Sequence, residues 1–85
     1  MTNENDEIQI TLSKAEAIML FDLLSEDFLN KLADSSLLDD KNKIWPLISI
    51  VNTLESQLTE PFDSNFKDIV RESLNKVIEQ NGSLM

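Results

Sequence analysis

Residues 44–58, reading IWPLISIVNTLESQL, form the most continuously apolar run in an otherwise acidic chain. Ile44, Leu47, Val51, Leu54 and Leu58 follow the 3,4,3,4 spacing of one helical stripe, and Trp45, Ile48 and Ile50 add apolar surface on its flanks. A helix that is apolar on more than one side needs more than one neighbour, so the rest of the chain is expected to be arranged around this segment. With 85 residues, one Gly and two Pro, there is material for one core and no second domain. The architecture expected is all-α, a three-helix bundle with a short N-terminal extended or strand segment.

Residues 1–7 are polar and acidic and read as a flexible tail. Ile8, Ile10 and Leu12 then alternate with Gln9 and Thr11, the period of a short half-buried strand. No other segment alternates in this way. Residues 8–12 must therefore pair with a second copy or a partner, or lie as an extended arm over the helices. Ser13-Lys14-Ala15-Glu16 is a capping box directly before an apolar-periodic run. Helix 1 is expected over 14–33, with Ala17, Leu20, Phe21, Leu24, Phe28 and Leu32 inward. On its outer side Asp22 and Glu26 sit at i,i+4, where like charges cost about 0.2–0.5 kcal/mol, while Asp27 can pair with Lys31.

The run ADSSLLDD over 33–40 signals a connection in which Leu37 and Leu38 tuck against the core and Asp39 or Asp40 caps the second helix. Helix 2 is expected over 41–59 and holds a conflict at Pro46. A proline inside a regular helix costs about 3 kcal/mol, so either the helix kinks there or 41–45 forms a separate turn and the regular helix starts at the proline. Pro61 ends this segment, Phe62 should plug the gap between helices, and Asp63 is the expected N-cap of helix 3 over 64–80. Phe66, Ile69, Val70, Leu74, Val77 and Ile78 should face inward, Asp63–Lys67 and Glu72–Lys76 should pair, and Asn81-Gly82 should close the helix.

Seven Lys plus Arg against sixteen Asp plus Glu leave a formal net charge of −9. Nucleic acid and anionic membranes are poor partners for such a surface, and a basic protein is a good one; solubility alone is the competing explanation of the acidity. The chain has no Cys, His or Tyr, which removes disulfides, thiolate metal sites and the commonest general base. An enzymatic role is not expected, nor is a cofactor. Calcium loops fail on spacing: a loop from Asp34 has Asp39 where a Gly is required and Trp45 where a bidentate Glu belongs, and one from Asp63 places Phe66 among the ligands. No window approaches the roughly 18 apolar residues of a membrane span. The N-terminal MTNENDEIQI lacks the features of a secretory signal, so a cytoplasmic location is expected.

The acidic residues concentrate on helix 1 and the loop after it, as Asp22, Glu26, Asp27, Asp34, Asp39 and Asp40. Trp45 has two readings: a core residue covering the break at Pro46, or an aromatic anchor on an interface. The order TLSKAEAIMLFDLLSE, then Asp40 before IWPLISIVNTLESQL, then EPFDSNF resembles a group of small acidic helical bacterial proteins over roughly residues 8–80. The overall type is similar to immunity proteins and antitoxins that block cationic toxic nucleases. That resemblance implies binding to a basic, toxin-like protein but carries over no residue; the charge distribution and the anchor reading of Trp45 point to Asp22, Glu26, Asp27, Asp34, Asp39, Asp40 and Trp45 as the residues that would make the contact. The alternative is a self-associating structural or regulatory protein, a homodimer through residues 8–12 and helix 2.

Overall fold

In the computed structural model, residues 6–85 are described, and they hold four α-helices and two short 3-10 turns. The first five residues of the expected tail lie outside the described residues. Helix α1, Lys14–Leu23, begins at the capping box: the Ser13 hydroxyl accepts from the Glu16 amide at 3.1 Å, and the Glu16 carboxylate accepts from the Ser13 amide at 3.0 Å. The helix stops ten residues short of the expected end at 33. Leu24 leaves helical geometry at φ −86°, ψ 42°, and Ser25 is extended, its hydroxyl accepting from the Phe28 amide at 3.2 Å to open α2, Glu26–Asp34. A Ser followed by two acids is a better helix start than a helix interior, because it satisfies a free amide and sets negative charge at the positive end. The break also takes Asp22 and Glu26 off a shared helical face.

The conflict at Pro46 is met by a separate turn rather than a kink. A 3-10 turn, Lys41–Ile44, is capped by the Asp40 carboxylate, which accepts from the Asn42 amide at 2.9 Å. Helix α3, Trp45–Gln57, then places Pro46 in its first turn, where the missing N–H has no partner to lose. A second 3-10 turn, Glu60–Phe62, leads to α4, Phe66–Asn81. Its N-cap is Asn65, without a side-chain bond, and not Asp63, whose backbone carbonyl instead accepts from the Phe66 amide at 3.2 Å. The helix ends at Gly82, where φ is +87° and the amide donates to the Ile78 carbonyl at 2.6 Å.

No strand forms among the described residues. Residues 8–12 are irregular backbone and not the half-buried strand their alternation predicts, because a lone strand has no ladder to join. Ile8 and Ile10 remain 87% and 76% exposed where the arm borders the groove between α1 and α3.

The centre of the fold is α1 and not the apolar stretch that forms α3. Ala17 and Ile18 of α1 cluster with Leu54 and Leu58, which are the well-buried apolar residues of the α3 segment. Around them pack Leu20, Phe21, Ile50, Phe66, Ile69 and Val70, with the Phe21 and Phe66 rings edge to face at 6.3 Å. Phe21 near the end of α1 meets Phe66 at the start of α4, while Lys14 and Ala15 share a recess with Ser73 and Lys76, so α1 and α4 run antiparallel. Ser73 is the one buried polar residue among those described, and its hydroxyl donates to the Ile69 carbonyl at 2.8 Å. It occupies the inward position expected for Leu74, and both Leu74 and Ile78 stand exposed. Lys14 and Glu60 form the one ion pair between distant segments among the described residues, at 2.6 Å, fastening the start of α1 to the turn before α4. Asp63–Lys67 and Glu72–Lys76 do not close as ion pairs.

This core is thin. No side chain among those described is completely sealed.

Because α1 is the hub, truncating Ile18 to Ala should lower the unfolding free energy by about 2–5 kcal/mol in urea titrations, whereas Ile8→Ala should stay within about 0.5 kcal/mol. The Lys14 ammonium, with backbone amides, holds the Glu60 carboxyl below its usual range. A depressed folded pKa contributes stability that is full above the unfolded value and is lost as pH falls through the folded one. Lys14→Met should therefore flatten the acid limb of a stability-against-pH curve and leave its neutral-to-alkaline limb in shape.

Candidate partner-binding surface

The six acids and the tryptophan singled out from sequence are all exposed. Glu26 and Asp27 occupy the first turn of α2 and Asp34 its last position. Asp39 and Asp40 directly precede the 3-10 turn Lys41–Ile44, against which α2 packs, and Trp45 follows that turn. Asp22, on α1, lines a groove between α1 and α4.

Local structure uses part of this charge. Asp27 pairs with Lys31 at 3.5 Å, Asp39 with Lys43 at 2.6 Å, and Asp40 caps the turn. Both ion pairs are at i,i+4 between exposed side chains, worth at most about 0.5 kcal/mol each, so they leave the carboxylates free to exchange partners. Asp22, Glu26 and Asp34 have no side-chain ion pair among the described residues. No three carboxylates converge on a possible metal position among the described residues.

The core reading of Trp45 is overturned: the side chain is 61% exposed at the start of α3. The proline-led start of the helix lifts it onto the surface instead of folding it over a kink. Two further apolar residues depart from expectation. Leu37 does not tuck against the core, and Phe62 does not plug the gap between helices; both are exposed.

Sequence reasoning missed the α1–α4 groove altogether. From α1 come Met19, Leu20 and Leu23, and from α4 come Val70, Leu74 and Val77, with Leu12 of the arm at the mouth. The signal was present in α4, where Phe66, Val70, Ser73 and Val77 keep the 4,3,4 spacing of the true inner stripe and leave Leu74 and Ile78 over as a second one. A third recess, between Lys14, Glu60, Asp63 and Lys76, is polar and is partly closed by the Lys14–Glu60 pair.

Among the described residues no helix is long and apolar enough to cross a membrane. No family model, curated protein or solved structure matches the chain.

Trp45 is the chain's only tryptophan and there is no tyrosine, so its emission reports this surface alone. Acrylamide should quench it in the folded protein with a constant close to that in the urea-unfolded chain. A several-fold lower constant in the native state would place the indole in the interior.

Proposed function

We propose that this chain is an acidic, non-enzymatic protein-binding module of the cytoplasm that neutralises a basic, toxin-like protein by direct contact, in the manner of immunity proteins and antitoxins. The observation that carries the reading is an exposed tryptophan directly after a 3-10 turn that follows the exposed Asp39 and Asp40 and packs against the acidic α2. Leaving an indole in water forfeits the large burial free energy of an aromatic side chain, and such residues are enriched at interface hot spots. Carboxylates around it would steer a cationic partner into encounter and exchange their weak local lysine pairs for stronger ones at the interface. Blocking a toxin needs only occupation of its working face. The protein then requires no catalytic group of its own.

Self-association is the second reading, favoured by the thin core and the exposed apolar arm at Ile8 and Ile10. Against it, two copies each carrying a formal −9 repel one another at low ionic strength.

Titration with the purified basic product of a neighbouring reading frame tests the first reading. Tight binding whose association rate falls steeply with added salt is expected, and Trp45→Ala should weaken it by about 2 kcal/mol, roughly thirtyfold. No binding by any neighbouring product, together with a stable dimer by light scattering at micromolar concentration, would establish the second reading instead.

A further inference from the structure

The α1–α4 groove is the interior of a helical bundle that lacks one member. The two helices lie antiparallel and are joined along the stripe that buries Ile18 and Ser73. Beside that seam the groove is lined by Met19, Leu20 and Leu23 of α1 and by Leu74 of α4, together with Val70 and Val77 of the inner stripe. The positions recur at three- and four-residue intervals on both helices, so the trough runs along the helix axes and matches the ridge of another helix. Its volume is about 500 Å³. Helix α3 does not fill it, because α3 lies on a different side of α1, across the groove that holds Ala17, Ile50 and Leu54. Leu23 and Leu74 are consequently left 55% and 41% exposed.

The charge around the trough selects the occupant. Among the described residues, the two ionic side chains that line it are both acidic, Glu16 and Asp22, and no Lys or Arg does so. One Glu16 oxygen is held by the Ser13 amide in the capping box, and Asp22 has no ion pair with any described residue. A second copy of this chain would bring a like-charged rim and a like net charge against it. A helix with an apolar stripe bordered by Lys or Arg would bury its stripe on the leucines and set its cations on the rim.

We propose that the α1–α4 groove is a docking site for one cationic amphipathic helix of the protein's basic partner. This rests on the reading of the chain as a binder of a basic protein and adds a contact that Trp45 does not make.

The test uses a synthetic peptide of about five helical turns, about 18 residues, carrying a Leu stripe flanked by Lys. Its controls are a scrambled peptide of the same composition and a version with Glu in place of Lys. Binding to the full chain is read by fluorescence anisotropy of the labelled peptide, and its location by amide chemical-shift changes. The Lys peptide should bind and shift the amides of Met19, Leu23, Leu74 and Val77, and both controls should bind at least tenfold more weakly. Leu74→Asp, with native helicity checked by circular dichroism, should weaken binding about tenfold or more, and Asp22→Lys by up to about fivefold. Trp45→Ala should leave peptide binding unchanged, which separates this site from the tryptophan surface. Equal binding of the scrambled peptide, shifts confined to α2 and Trp45, or insensitivity to Leu74→Asp would overturn the proposal. So would a free protein that is dimeric through this groove and becomes monomeric with Leu74→Asp. Failure of the peptide while the whole basic partner still binds would overturn the groove and spare the broader reading.

Discussion

Everything in this structure depends on α1 being gripped from two sides at Ala17 and Ile18. Ala17 is small enough for α3 to approach through Leu54, and Ile18 shares its recess with Ser73, a residue whose short side chain lets α4 come close. The hydroxyl of Ser73 would be costly at such a position if it were unpaired, and its bond to the Ile69 carbonyl removes that cost. The Lys14–Glu60 pair and the Phe21–Phe66 contact hold the two ends of the α1–α4 pairing in register. With so few apolar side chains sealed, no other part of the molecule can compensate if this contact is loosened.

The sequence carried the all-helical character, the start of the first helix and the end of the last one. The capping box at Ser13 was legible because two side chains satisfy two amides at a fixed spacing, and Gly82 because only glycine takes its positive φ without strain. The break at Leu24–Ser25 was hidden by an apolar periodicity that runs straight through it. Ser25, Glu26 and Asp27 announce a helix start, but their signal competes with Leu24 and Phe28, which fit one continuous stripe equally well. The choice of centre failed for a different reason. Hydrophobic content points to residues 44–58, yet what decides which helix is surrounded is how closely its neighbours can approach, and that favours the alanine-containing α1.

The surface was legible in part. Composition located the acids, and the structure leaves all six and Trp45 exposed, with Asp22 lining the α1–α4 groove. Whether the indole was inside or outside hung on the geometry of one proline, which sequence left as two alternatives. The α1–α4 groove depends on α4 being rotated so that Ser73, and not Leu74, faces α1. A hydrophobicity pattern reads the leucine as the inward residue, because it cannot register that a close helix crossing prefers the smaller side chain.

The interruption between α1 and α2 has a consequence for how the molecule yields. Helix α2 buries none of its own residues and is packed chiefly on a 3-10 turn, whereas α1 is anchored on both flanks. Its amides should therefore open to solvent hydrogen exchange by a local event that costs far less than global unfolding. The segment bearing Glu26, Asp27 and Asp34 is thus the helix whose opening would disturb the α1–α4 pairing least.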